Sequence, residues 1–252
     1  MDENVWRDYV KEDYNGAFVL WIDQSTDPLL AAHNSNGVCF AMALDFVTSY
    51  QMGQPGPGIL VNDIRNAILV PPGNSRIPAR YMDIQQATQA MFNQFRQNLI
   101  QLNTQLTQAA EEDKPALLVT IKKLMDDRIK QRFGPGMDDF IKFNEANDLA
   151  PTTIFQKMRD IATAKGPSYF LVSMRGANGG HGIAFGFRPD LSASGNFPGI
   201  FEYFDANLGF FVFGTEQKLY DFFSVQVWTE LYGLTDYSKF EIASFTAHRG
   251  RR

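Results

Sequence analysis

The stretch from Asn34 to Tyr50, NSNGVCFAMALDFVTSY, constrains the fold more than any other part of the chain. A polar, glycine-containing lead-in precedes a nearly continuous apolar run without proline or glycine. Asn34, Ser35 or Asn36 can cap a helix, and the run is long enough to be that helix. Apolar residues occupy most of its circumference, so it has no face to present to water and must be enclosed by other elements. With 44% of its 252 residues hydrophobic and 13% aromatic, the chain can build a core large enough to enclose it.

Helical sequence follows two proline- and glycine-punctuated loops, QMGQPGPGIL and VPPGNSRIP. From Tyr81 to about Ala110, Met91, Phe95, Leu99, Leu102 and Leu106 recur at three- and four-residue spacing, which predicts a long amphipathic helix. Pro115 opens a second helix to about Phe133, and GPGM at Gly134–Met137 stops it, so a helical hairpin is expected over about 81–133. Asp138 to Ala164 is expected to add one or two shorter helices separated at Pro151.

At Ser168 the period changes. SYFLVSMR, HGIAFGFR, GIFEYFD and FFVF are short aromatic and β-branched runs between glycine, asparagine and proline clusters, and they read as antiparallel strands. A terminal helix, LYDFFSVQVWTELYG, and a basic tail complete the chain. Helices first and strands afterwards predict an α+β fold in a single domain over 1–252.

The chain has one cysteine and three histidines, so each candidate for nucleophilic or metal chemistry can be weighed alone. No intramolecular disulfide or multi-thiolate zinc site can form. A lone cysteine in an apolar run is by default a small buried hydrophobe. Cys39, however, falls in the expected first turn of the buried helix, where unpaired N–H groups and the helix dipole favour a thiolate.

His181 enters a strand directly after a glycine-rich turn, and Asp205 ends the next strand. Adjacent antiparallel strands can bring them together, so that the carboxylate orients the imidazole and stabilises its charged form. Taken singly, His181 can be an exposed loop histidine, and Asp205 reads first as a turn residue bonding its own backbone. His181 follows Cys39 by about 140 positions, within the roughly 130–150 residues that separate these partners in papain-like enzymes. His33 and His248 are the weaker candidates for a base.

Three blocks, NSNGVCFAMALDF, GGHGIAFGF and YFDANLGFFVF, resemble the YopT/AvrPphB family of cysteine proteases in order and context. The resemblance covers about a fifth of the chain. It implies a papain-like fold, with a buried nucleophile helix and a helical region packed on an antiparallel sheet. Cys39 would be the nucleophile, His181 the general acid and base, Asp205 the orienting acid and Asn34 a side-chain oxyanion donor, with Asn36 as its competitor. Two departures stand out: Ala206 replaces the proline usual after the acid, and Phe40 stands where small or acidic residues are common. The hairpin at about 81–133 has no counterpart in the resemblance.

The resemblance also implies a bacterial effector or toxin, a virulence factor delivered by a dedicated secretion system into a host or competitor cell, where a protein or peptide is its substrate. Synthesis in the bacterial cytoplasm is expected, because the N-terminus MDENVWRDYVKEDYNG has neither the basic start nor the apolar core of a signal peptide. Beginning at a methionine and carrying all three blocks, the chain is expected to be complete. No run approaches the roughly 20 apolar residues of a membrane helix. A formal net charge of -5 argues against nucleic acid as a partner. GANGGHG lacks the Lys-Ser/Thr of a phosphate loop, and neither G-x-S-x-G nor H-E-x-x-H occurs. No cofactor is called for. A glutamine deamidase or transglutaminase using the same three residues, or a papain-like binding domain that leaves them unused, are the alternatives.

Overall fold

The structure, a computed structural model, describes residues 2–32, 37–51, 62–63, 66, 75, 77–134, 136–143, 151–176, 179–189, 198–232 and 237–246. Its centre is a seven-stranded antiparallel sheet. The strands are β1 (Ala17–Leu20), β2 (Asp139–Phe143), β3 (Ser168–Gly176), β4 (Gly179–Pro189), β5 (Pro198–Asp205), β6 (Gly209–Thr215) and β7 (Tyr237–Thr246), and their spatial order is β1-β6-β5-β4-β3-β7-β2.

Both faces of the sheet are covered, which is why its central strands read as apolar runs rather than as a clean alternation. On β3, Phe170, Val172 and Met174 enter one core, while Tyr169 and Leu171 enter the other. The first core packs against α1 (Glu3–Asp8), α6 (Pro151–Lys165), and α7 (Glu216–Asp221) with its wide-turn continuation Phe222–Tyr232. It is mostly aromatic: Phe155 meets Phe185 edge-on with centroids 5.4 Å apart, and Phe185 meets Phe223 at 5.2 Å. Such pairs add about 0.5–1.5 kcal/mol beyond their buried area.

The second core holds the helix that the apolar run predicts, α3 (Cys39–Gln51). Phe46 has no solvent exposure and stacks on Phe204 of β5 at 5.2 Å. A short α2 (Pro28–Ala32) precedes α3. Over it lie the buried ends of a helical hairpin, α4 (Arg80–Gln108) and α5 (Lys114–Phe133), represented by Tyr81, Met82 and Phe133. Lys114 and Pro115 open α5, and Gly134, with φ +83°, closes it.

The α+β class and the antiparallel sheet are as expected, but three strands were not expected, and two of them, β1 and β2, break the order of helices first and strands afterwards. DFIKF, placed in the helical region 138–164, is β2, because β7 offers it an open ladder from Asp139↔Ser244 to Phe143↔Phe240. Among the described residues of that region, only those of Pro151–Lys165 are helical. YSKFEIASFT, not assigned to any element, is β7 and lies between β3 and β2. β1 pairs with β6 at the opposite edge. The terminal helix starts earlier than expected, at Glu216, where the Thr215 hydroxyl accepts the Lys218 N–H.

Candidate active site

The site is assembled where the N-terminus of α3 crosses the end of β4. In the β4–β5 ladder Ile183 pairs with Asp205, so His181, two residues before Ile183 on the same face, lies diagonal to Asp205. The imidazole Nε2 is 2.9 Å from Asp205 Oδ1. The register of two adjacent strands therefore sets this contact, rather than a loop.

Cys39 arrives from the opposite layer. A Cβ at Gly182 would lie 2.9 Å from the Phe40 Cα and 3.2 Å from its nitrogen, so only glycine lets α3 approach β4 this closely. The Gly182 N–H donates to the Cys39 sulfur, and His181 hydrogen-bonds the thiol. Since Nε2 faces Asp205, it is Nδ1 that remains for Cys39. The expected constellation of Cys39, His181 and Asp205 is thus brought together at the start of one helix and the ends of two strands. The fourth expected residue, Asn34, lies outside the described residues, as do Asn36, His33 and His248.

Three further groups hold Asp205, and none of them stood out in the sequence. The Tyr203 hydroxyl, two residues back on the same face of β5, donates to Oδ2 at 2.7 Å. Tyr232, at the end of the wide-turn segment, donates to Oδ2 at 2.6 Å, and its oxygen also lies 2.9 Å from His181 Nε2. The Asn207 N–H donates to Oδ1 at 2.8 Å. Asp205 has no solvent exposure, yet both its oxygens are satisfied. The i, i+2 spacing of Tyr203 and Asp205 was a readable signal; Tyr232, 27 positions away, carried none.

Gln24 is a further residue that sequence reasoning missed. Its side-chain carbonyl accepts the Val38 N–H at 2.8 Å, and its amide donates to Asn207 Oδ1 at 2.8 Å. One buried amide thereby ties the lead-in to α3 to the turn that carries Asp205. Gly37, with φ +112°, makes room for it: a Cβ there would lie 2.8 Å from Gln24 Oε1.

The electrostatics follow from this packing. Burial pushes the Cys39 thiol up, but the His181 charge, its hydrogen bond and the Gly182 N–H outweigh burial and hold it below its ordinary 9.0. Burial pushes the His181 imidazolium down, and Asp205 and Cys39 outweigh that, raising it from 6.5 to about 10. Asp205 is likewise favoured by burial to be neutral, yet His181 and the Tyr232 hydroxyl hold it below 3.8. Burial first, then Asp205, keep Tyr203 and Tyr232 protonated, so they can act as donors. All three shifts run in the direction that favours the charged forms, thiolate, imidazolium and carboxylate, in one row.

Two clefts open from Cys39 and His181. One, of about 380 Å³, is lined by Gln24, Gly37, Asn207 and Tyr237. The other, of about 640 Å³, runs between the ends of β3 and β4 and the hairpin helices α4 and α5. Among the described residues no group of three or more His, Cys, Asp and Glu side chains converges as a metal site, and no helix is long and apolar enough to cross a membrane.

Fold and site together define an α+β protein with a cysteine–histidine–aspartate constellation at the junction of two clefts. No family model matches the chain, and no curated protein matches it in sequence. Among solved structures it is similar to the crystal structure of the Pseudomonas avirulence protein AvrPphB, at 15% identity and a TM-score of 0.44, covering 84% of this chain and 93% of that one. A likeness that distant fixes no residue's role.

Proposed function

We propose that the protein is a papain-like cysteine endopeptidase. The observation that carries this reading is the row Cys39–His181–Asp205, with the imidazole bonded to the thiol on one side and 2.9 Å from a buried carboxylate on the other. Thiolate and imidazolium are the two species that thiol acyl transfer requires.

In this reading the Cys39 thiolate attacks the carbonyl carbon of the substrate amide, and the oxygen takes up the negative charge. The Cys39 backbone N–H, in the first turn of α3 where such groups lack intrahelical partners, is a donor for that oxygen. Asn34 is proposed as the second donor. His181 Nδ1–H gives its proton to the leaving nitrogen as the C–N bond breaks, leaving a thioester on Cys39. His181, now neutral, takes a proton from water, whose oxygen attacks the thioester and releases the acid and the thiolate. Asp205 stays ionised throughout and holds the ring by Nε2. The sequence resemblance adds the proposal that the substrate is a protein of a host or competitor cell reached by delivery from a bacterium.

The test is alkylation of Cys39 by iodoacetamide over a pH series, followed by intact mass in wild type, His181→Ala and Asp205→Ala. Rapid labelling below pH 7 that disappears in His181→Ala is the expected result. Labelling that begins only near the pKa of a free thiol, or that ignores His181, would overturn the reading. Cleavage rather than ammonia release from a glutamine substrate separates peptidase from deamidase.

A further inference from the structure

The larger cleft has a chemical character that the proposed protease reaction does not use. Arg96, Arg128, Arg132 and Arg175 line it together with Cys39 and His181, and no Asp or Glu is among its described lining residues. The chain as a whole carries a net charge of -5, so this is a local concentration of positive charge against the global balance.

Three of the four guanidinium groups lie over neighbouring rings. Arg128 lies over Phe95 at 4.6 Å and Phe92 at 5.3 Å, Arg175 over Phe92 at 5.4 Å, and Arg132 over Phe40 at 4.6 Å. Stacking leaves the edges of a guanidinium, where its donors are, free to meet a planar anion. Glu241 of β7 serves two of the four: it pairs with Arg132, and Arg175 Nη2 lies 3.6 Å from it. Arg132 also donates to Ser173 Oγ at 2.8 Å. Neither Arg96 nor Arg128 has an ion-pair partner among the described residues. Burial, followed by repulsion from Arg175 that Glu241 only partly offsets, makes Arg128 easier to deprotonate than an ordinary arginine. A further anion beside Arg128 would relieve that repulsion.

The cluster is also tied to the site. Ser173 of β3 pairs in register with Glu241 on one side and with Gly182 on the other, the glycine over which Cys39 is seated. Because Cys39 and the four arginines line this same cleft, a chain lying along it from Cys39 meets them.

We propose that this cleft is a specificity subsite for an acidic side chain, aspartate or glutamate, of the polypeptide bound at Cys39, with Arg128 and Arg96 as the recognising groups. A one-signed cleft with low-dielectric walls concentrates and orients opposite charge, and arginine meets a carboxylate with two parallel hydrogen bonds. The inference rests on the protease reading above and specifies its substrate.

The test uses N-chloroacetyl tetrapeptide amides of alanine, with glutamate, glutamine or lysine placed in turn at each position. Alkylation of Cys39 displaces chloride and is read by intact mass. At one position glutamate is expected to label on the order of tenfold faster than glutamine, and lysine more slowly than either. The advantage should shrink at high salt. The glutamate-to-glutamine ratio normalises for any change in thiol reactivity, and it should fall several-fold in Arg128→Gln. Arg96→Gln, at an exposed position, should lower it too, and it keeps the test decisive if Arg128→Gln fails to fold. A ratio near one at every position, with iodoacetamide still labelling rapidly at low pH, overturns the subsite and leaves the protease reading standing. If iodoacetamide labelling is itself slow at low pH, the protease reading fails and the inference falls with it.

Discussion

The neighbourhood of Asp205 and the helical hairpin α4–α5 solve opposite problems. Asp205 is fully buried and both its carboxylate oxygens are met by hydrogen bonds from the sheet, the Asn207 turn and Tyr232. Along the hairpin only the ends are buried, at Tyr81, Met82 and Phe133, while Ile100, Leu118 and Val119 are more than half exposed. The first region is overdetermined, so small changes there are costly. The second is held mostly by its own two helices, so its outer length tolerates change while its inner face shapes the cleft.

Asp205→Asn should break the comparison most severely. It preserves shape but removes the charge that holds the His181 imidazolium, and peptide hydrolysis should fall roughly 100- to 10,000-fold. Its effect on stability should depend on pH. Asp205, held below 3.8, contributes in full above pH 3.8 and loses its contribution as pH falls further. His181, raised from 6.5 to about 10, contributes in full below pH 6.5 and loses its contribution as pH rises towards 10. Denaturant unfolding across pH should show the wild-type advantage widest between these limits and narrowing on both sides.

Gly182→Ala places a methyl group against the Phe40 backbone. Overpacking of this kind costs about 1–3 kcal/mol, and the seat of Cys39 should shift with it. Denaturant midpoints and low-pH alkylation should therefore fall together; a variant that keeps both would show that α3 does not depend on the close approach.

Tyr232→Phe removes one of the two hydroxyl donors to Asp205 Oδ2. A hydrogen bond to a charged group contributes about 1.5–3 kcal/mol. The variant should fold with reduced stability and show a smaller loss of hydrolysis than Asp205→Asn, because Tyr203 and Asn207 still hold the carboxylate. At the other extreme, Val119→Ser on the outer hairpin should change stability by less than about 0.5 kcal/mol. A large effect there would show that the hairpin's exposed apolar side chains are covered in solution.

Much of this was legible in advance. The circumference of α3, the hairpin helices and β3 to β6 all advertise themselves through local period and punctuation, which is information carried by neighbours in the chain. β2 and β7 were not read, although KFEIASF alternates, because a short edge strand such as DFIKF acquires its state from the ladder it joins. The hairpin was visible as two helices but not as the wall of a cleft.

Local pattern in the sequence determined the apolar helix and that it must be enclosed, the hairpin helices, the strands β3 to β6, and which residue types stand at the start of that helix and at two strand ends. Tertiary structure alone decided the company these residues keep. Gln24 meets Asn207 across 183 positions, Tyr232 reaches Asp205 across 27, and Arg132 meets Glu241 across 109. The reason is physical: a helix or a strongly patterned strand announces itself in residues a few positions apart, whereas the pairing of an edge strand and the satisfaction of a buried charge depend on sheet order and layer packing, which no short stretch of chain encodes.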